Sequence, residues 1–423
     1  MVIDAEYGGL VTAVRHGARA IAVIGAGPAG LMAAEILSAA GQRVTVYERM
    51  ASPARKFLLA GRGGLNLTHS ELLANFLRRY CDDAARVMHA ITAFPPDALV
   101  GWANGLGAET FVGSSGRVFP KAMKASPLLR AWLKRLDAQG VVLRTRQTWL
   151  GFDTSGMPLI SEGQDSPRVV ACDATVLALG GASWPKLGAD GTWVPILSKL
   201  GVPIASLEPS NCGVRVAWSD VLKSRAAGAP LKRIAVTLAD ETRRGDLVIT
   251  AAGLEGGAIY ALTPHLRAVL RDAATAQLSL DLKPDMTIDD LAARIARAKP
   301  GQSLSNTLRK AASLDAAAIA LVNETVCPRA PESLARHLKA LPLVVTGLAG
   351  IDRAISTAGG VTAEAIDQKF MLKGHPGVFV AGEMLNWDAP TGGYLLQAAF
   401  ATGHAAAQGV LQWLEVETKS GQN

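Results

Sequence analysis

Residues 21 to 48, IAVIGAGPAGLMAAEILSAAGQRVTVYE, constrain the fold more than any other part of the chain. An apolar, β-branched run (Ile21 to Ile24) leads into Gly25, Gly27 and Gly30. A helix of small residues follows (Leu31 to Ala40), then Gly41, and a second β-branched run (Val44 to Tyr47) stops at Glu48. Gly25 permits a tight turn off the strand, Gly27 lets a pyrophosphate approach the backbone, and Gly30 lets helix and strand pack closely. With Ala26, Pro28 and Ala29 between the glycines, the helix N-terminus offers free N–H groups and a positive dipole end to phosphates. Glu48, at the tip of the second strand, is placed to accept the hydrogen bonds of a ribose diol. Its charge would repel a 2′-phosphate, so the unit reads as a site for FAD or NAD rather than NADP. Strand, helix, second strand and terminal acid occur together, which favours dinucleotide binding over a glycine-rich structural turn.

A chain of 423 residues buries a large core, and its length suggests two or three domains. With 49% hydrophobic and 19% charged residues, the balance is that of a folded globular protein. No apolar run approaches the roughly 20 residues needed to cross a bilayer, so no membrane association is expected. Residues 1–19 carry acids early and lack a continuous apolar region; they read as an N-terminal extension rather than a secretory signal. Cys81, Cys172, Cys212 and Cys327 are scattered without CxxC spacing, and the seven histidines form no ligand pair. No metal site is expected, and isolated reduced thiols point to the cytoplasm. The net charge of +7 permits an RNA or an anionic substrate without requiring either.

Residues 55–69 (RKFLLAGRGGLNLTH) read as a glycine-rich loop. Helices are predicted at 72–80, at 84–94 (stopped by Pro95 and Pro96) and at 127–139, with β-like runs at 141–145, 148–152 and 168–171. A strand at 174–179 closes on Gly180-Gly181, as expected when a nucleotide domain is completed by a distant segment. From about Leu207 short β-rich pieces (213–216, 234–238, 246–250, 278–282) suggest a small barrel or sandwich. Helical patterns at 287–297 (with a Thr-x-x-Asp cap), 304–312 and 315–323 interrupt it. The chain returns with an apolar strand ending Ala381-Gly382-Glu383, and a helix opens at Gly392-Gly393-Tyr394. The carboxylate of Glu383 is then expected beside a helix N-terminus; in FAD enzymes of the two-strand-closure type an acid here holds the ribityl chain, and a capped helix after a core strand is the competing reading. The positive helix end would face a flavin pyrimidine, whose N1 and C2=O become negative on reduction.

Together, GAGPAG, RKFLLAGRGGLNLTH, SGRVFPKAMKAS (Ser115 to Ser126), LALGGASWPKLG, ITAAGLEGGAIYAL and AGEMLNWDAPTGGYLLQAAFATG resemble the BaiN/RdsA-type family of NAD(P)/FAD-dependent oxidoreductases, in order and over nearly the whole chain beyond residue 20. The resemblance implies an α/β fold: a discontinuous Rossmann-like FAD-binding domain with an inserted β-barrel domain and a small helical insert. The expected division is 20–205 and 344–415 for the FAD-binding domain, 206–285 and 328–343 for the barrel, and 286–327 for the insert. It also implies a reductase of activated C=C bonds; family activities include bile-acid intermediates and a uracil in 23S ribosomal RNA.

The sequence departs from the family pattern where substrate is expected. Gly61-Arg62-Gly63-Gly64-Leu65-Asn66 stands where the family usually reads GGGRCN, so Leu65 occupies the cysteine position, and His69 replaces a later Asn. Glu255 and Gly257 replace Ser and Pro. The expected catalytic residues are His69, as proton donor while hydride leaves flavin N5, and Arg62, toward an anionic substrate or the pyrophosphate. A loop histidine hydrogen-bonded to backbone and a surface arginine are the competing readings. Arg49 and Lys56 are expected near the phosphates, and Gly61, Gly63, Asn66 and Thr68 against the isoalloxazine. Trp184, Trp193 and Trp387 could wall a planar substrate. With one dinucleotide fingerprint, NAD(P)H would dock only transiently. The leading expectation is a small-molecule C=C reductase. The alternatives are a ribosomal RNA uracil reductase, suggested by Arg294, Arg297, Lys299, Arg309 and Lys310, and a non-enzymatic flavin redox sensor, suggested by Leu65.

Overall fold

The computed structural model describes residues 17–420 apart from Gln164 and Pro300; residues 1–16 of the expected extension lie outside the described residues. The strand Ala20–Ile24 (β1) sits at the centre of a five-stranded parallel sheet. Its partners are Arg43–Glu48 (β2), Val142–Thr145 (β3), Ala174–Leu177 (β4) and Val378–Val380 (β5), in the order β5–β4–β1–β2–β3. Ile21 to Ile24 are all at most 2% exposed, which explains why β1 reads as an unbroken apolar run: both faces of a parallel sheet are covered. From β1 the chain first builds one side of the sheet and then, through β4 and β5, the other. The reversal lies between β1 and β4, where open α/β sheets leave a crevice beyond the strand C-termini.

Helix Pro28–Ala39 (α1) follows β1 with Gly27 as its extended N-cap and Pro28 in its first turn, where the missing N–H costs nothing. The long helix Tyr394–Ser420 (α2) follows β5 and crosses α1 backbone to backbone. A Cβ at Gly403 would come within 2.2 Å of the Ala29 carbonyl oxygen.

Between β4 and β5 the chain leaves for a second hydrophobic core, formed by residues from Val214 to Val345. It lies within a seven-stranded sheet whose two edge segments are Leu341–Val345 and Gly347–Leu348. These are consecutive in the chain. One strand, bent at Gly347 (φ +155), pairs with Ala276–Asp281 before the bend and with Val214–Arg215 after it, so the sheet closes on itself as a barrel. Helices Ile288–Ala296, Leu304–Ala311, Ala316–Val322 and Pro331–Lys339 fill the excursion between two barrel strands. The Thr287 cap is present, its side chain accepting the Asp290 N–H at 3.1 Å. An antiparallel ribbon, Ile204–Ser210 with Ser356–Val361, carries the chain into and out of the barrel.

Several local expectations are corrected. Residues Arg55–Ala60 are a helix, not a loop: RKFLLA holds five strong helix formers before Gly61, and its remaining residue, Phe57, is buried. Pro96 begins the helix Pro96–Gly105 as well as ending the one before it. Pro331–Lys339 is helical where barrel was expected, and Gly347–Leu348 pairs within the barrel sheet beyond the expected limit at residue 343.

Candidate cofactor and active-site cleft

The C-terminal ends of β1 and β4 and the heads of α1 and α2 border a cleft of about 320 Å³. The three glycines after β1 have different jobs. A Cβ at Gly25 (φ +103) would lie 2.3 Å from the Ala178 carbonyl oxygen, and one at Gly30 would lie 1.9 Å from that of Gly25. A Cβ at Gly27 would meet nothing within 4 Å. Gly25 and Gly30 therefore serve packing, whereas Gly27 leaves space that only a ligand would fill. Pro28 has no N–H and that of Leu31 is taken by the Gly27 carbonyl at 2.9 Å. The first-turn N–H groups of Ala29 and Gly30 are those α1 cannot use itself.

Glu48 is 9% exposed and accepts the Ala26 N–H (2.9 Å) on one oxygen and the Met50 N–H (2.8 Å) on the other. Burial pushes its carboxyl up, while those two N–H groups and the charges of Arg49 and Arg55 work to lower it. Glu383 is clasped by Lys56: Nζ donates to Oε2 at 2.6 Å and to Ser183 Oγ at 2.7 Å, while Thr357 N–H donates to Oε1 at 3.1 Å. The glycine pair before α2 is demanded by the strand Thr68–His69, since a Cβ at Gly393 (φ +102) would lie 2.5 Å from the Thr68 backbone.

Of the residues expected to bind a cofactor, Gly25, Gly27, Pro28 and Ala29 line the cleft from the first turn. Glu48, Arg49, Lys56 and Asn66 line it from the side of β2, and Gly180, Gly382, Glu383, Gly392 and Gly393 from the far strands and the head of α2. The others do not line it. The Ala26 N–H is taken by Glu48. Gly30, Gly61 and Gly181 serve close packing, the last two against Ala125 and Thr357. Gly63 is exposed, Thr68 is fully buried, and Tyr394 turns its hydroxyl to Glu71.

The two expected catalytic residues are also outside the lining. His69 Nδ1 accepts the Glu71 N–H (3.1 Å) and Nε2 lies 3.0 Å from the Ser115 carbonyl oxygen. With Nδ1 accepting, the network assigns the donor role to Nε2. The ring stacks on Tyr394 at 5.7 Å. Both nitrogens are held by backbone, so His69 has no proton to deliver into the cleft without leaving its turn. Arg62 is exposed on the Gly61–Gly64 turn. The reason is Leu65, which is fully buried and turns the segment so that Asn66 is its member on the cleft wall. Trp193 and Trp387 line the cleft, their indole N–H groups held by the Gly180 and Gly382 carbonyls at 2.9 and 3.0 Å; Trp184 does not.

Sequence reasoning missed Arg55. Arg49 is paired with Asp190 (2.6 Å) and Lys56 with Glu383, whereas Arg55 lines the cleft and its guanidinium has no ion pair or hydrogen bond among the described residues. Reading RKFLLA as a helix, with Arg55 at its first position, would have pointed to it. The barrel also touches this region. Arg267 on the helix Thr263–Asp272 donates to Asp388 at 2.7 Å, and Ser210 Oγ donates to the other Asp388 oxygen at 2.6 Å, fixing the loop between β5 and α2. Among the described residues there is no group of three or more His, Cys, Asp or Glu arranged for a metal ion, and no helix long and apolar enough to cross a membrane.

A parallel sheet with a fingerprint turn at its switch point, a buried acid at the next strand tip and a returning strand with an acid before a glycine-opened helix make a Rossmann-like FAD-binding fold. The chain matches the HI0933-like protein Rossmann domain over residues 19–409 and belongs to that family. It is 24% identical over 409 residues to the 3-dehydro-bile acid delta(4,6)-reductase of Clostridium scindens, covering 92% of this chain and 98% of that protein. To the ribosomal RNA dihydrouridine synthase of Escherichia coli it is 23% identical over 415 residues, covering 92% and 97%. Among solved structures it resembles the open conformation of a flavocytochrome c3 fumarate reductase, with TM-score 0.52, 15% identity, and coverage of 95% of this chain and 80% of that one. A 3-ketosteroid delta1-dehydrogenase from Sterolibacterium denitrificans gives TM-score 0.51 at 11% identity, covering 93% and 99%.

Proposed function

We propose that this protein is an FAD-dependent oxidoreductase that reduces an activated C=C bond of a small molecule, with NAD(P)H as a transient reductant. The observation that carries the reading is the cleft itself. Open space over Gly27 and the first-turn N–H groups of α1 suit a pyrophosphate, and Arg55 is an unpaired cation on the same wall to neutralise it. Glu48 suits the ribose diol of the adenosine half. The Lys56–Glu383 pair suits the ribityl hydroxyls, and the glycine pair at the head of α2 admits a flat ring. A bound flavin would supply two-electron transfer to an electrophilic carbon. The chain's own part is to hold the ring, to exclude water with Trp193 and Trp387, and to keep the β5–α2 loop in place through Arg267 and Asp388. The relatives, a delta(4,6)-reductase and a dihydrouridine synthase by name, support reduction as the reaction class.

A second reading, reduction of a ribosomal RNA uracil, is favoured by one observation. Arg294, Arg297, Lys299, Arg309 and Lys310 are all exposed on the helical excursion, as a polyanion-binding face requires. The test is anaerobic reduction of the bound flavin by NADH or NADPH, followed by mixing with a panel of conjugated enones that includes 3-dehydro-bile acids. Flavin reoxidation with formation of the saturated product supports the first reading. Failure with every enone, together with loss of dihydrouridine from the ribosomal RNA of a deletion strain, replaces it with the second.

A further inference from the structure

Two arginines without an ion pair stand near the cleft: Arg55 lines it, and Arg117, exposed and outside the lining, lies beside the lining residue Gly392. Arg55 stands on the Glu48 side, close enough for its charge to act on that carboxyl. Arg117 stands at the head of α2. It opens the strand Arg117–Pro120, in register with His69 of the strand Thr68–His69, whose Thr68 backbone abuts Gly393. Its Nε lies 3.8 Å from where a Cβ of Gly392 would be, and Gly392 and Gly393 line the cleft. The guanidinium has no ion pair and no hydrogen bond among the described residues. The carboxylate of this corner, Glu71, is already held by Arg79 at 2.9 and 3.2 Å and by the Tyr394 hydroxyl. Arg117 belongs to the segment Ser115 to Ser126, a conspicuous sequence feature that the reading above leaves without a role.

We propose that Arg117 sets the charge balance of the bound flavin, placing a full positive charge beside the partial charge of the α2 N-terminus at the edge of the ring where N1 and C2=O lie. This rests on the FAD reading given above. Two-electron reduction takes up one proton at N5 and leaves N1 anionic. A cation at that edge favours the reduced form, and a helix dipole alone contributes only about half a charge. Arg117 thus acts on the cofactor and not on a substrate, so its effect is measurable before any substrate is known.

The experiment uses the full chain with FAD bound and the variants Arg117→Met and Arg117→Lys. Sulfite is the probe: its sulfur lone pair forms a bond to N5, nothing leaves, and the negative charge pushed into the ring settles on N1 and C2=O. The second readout is the two-electron midpoint potential, from dithionite titration against a reference dye. Arg117→Met should hold FAD, bind sulfite at least about tenfold more weakly and show a potential lower by about 30 mV, the equivalent of tenfold for a two-electron couple. Arg117→Lys should stay within about threefold of the parent protein. Unchanged sulfite affinity and potential in FAD-loaded Arg117→Met overturn the proposal, as does a lysine variant as weak as the methionine one. Loss of FAD from Arg117→Met alone makes the residue a cofactor anchor and also overturns it. A parent protein that cannot be loaded with FAD fails the underlying reading instead.

Discussion

The substitution Gly27→Val separates ligand space from packing space in the fingerprint turn. Gly27 has φ −79 and ψ −179, an extended conformation open to any residue, and its Cβ direction is empty. Valine should therefore fold in place, with its side chain where the pyrophosphate belongs. The loss follows from the bonds displaced. The N–H groups of Ala29 and Gly30 would each make a charge-assisted hydrogen bond to phosphate of about 1.5–3 kcal/mol, so losing both would cost about 3–6 kcal/mol, a rise in FAD dissociation constant of roughly 10² to 10⁴. Gly30→Ala is the contrast. Its Cβ would sit 1.9 Å from the Gly25 carbonyl oxygen, so it should damage the apoprotein itself. The assay is FAD fluorescence quenching on apoprotein, paired with thermal unfolding of the apo forms. A Gly27→Val protein that binds FAD within about threefold of the parent, or whose apoprotein unfolds as readily as that of Gly30→Ala, would show that the space over Gly27 is not the pyrophosphate's.

Arg55→Met should weaken FAD binding by about tenfold or more through loss of one phosphate cation, with a smaller dependence of affinity on salt than in the parent; equal affinity and equal salt slopes in a titration series would remove Arg55 from the site. Glu35, buried on α1, accepts the indole N–H of Trp102 (3.0 Å) and Trp132 (2.6 Å) and a bond from Arg135 (2.9 Å). Glu35→Ala strands these donors and should cost about 3–5 kcal/mol in urea unfolding; a loss under about 1 kcal/mol would show the cluster to be dispensable. Burial lowers the pKa of His404, which stacks on Phe94 at 5.0 Å. Above the unfolded value of about 6.5 both states are neutral and stability is flat. As pH falls through that value only the unfolded chain takes the proton, so stability drops by up to about 1.4 kcal/mol per pH unit until the folded value is reached. His404→Phe should flatten that part of the urea-midpoint profile between pH 7.5 and 5.5, leaving the contribution of His337, which is lowered in the same way; an unchanged slope would exclude His404 as its source.

The parts legible in the sequence are those whose reason is local. The Gly25, Gly27 and Gly30 turn, the acid at the end of β2 and the glycine pair before α2 each answer a backbone demand visible in a few residues. The return of the chain as β5 was likewise readable from an apolar run ending in glycine. What escaped was decided by packing between distant segments. Whether Arg62, His69 or Asn66 faces the cleft depends on Leu65 entering the core, and on the hairpin that offers the Ser115 carbonyl to His69. The helix Arg55–Ala60 was hidden by the glycines that follow it, and with it Arg55. The strand Ser356–Val361, STAGGV, is wholly buried, yet its two glycines resemble a turn. A Cβ at Gly359 would lie 2.0 Å from the Ser206 carbonyl oxygen, so it is the ribbon partner that requires glycine there.

Whether the cleft between α1 and α2 holds FAD is decided by identifying the cofactor released from purified protein. The protein is denatured by heat and the supernatant resolved by chromatography against FAD and FMN standards, before and after incubation of the native protein with excess FAD. FAD is expected at close to one molecule per chain, with no FMN. FMN in its place, or a protein that stays colourless after incubation with FAD, would contradict it.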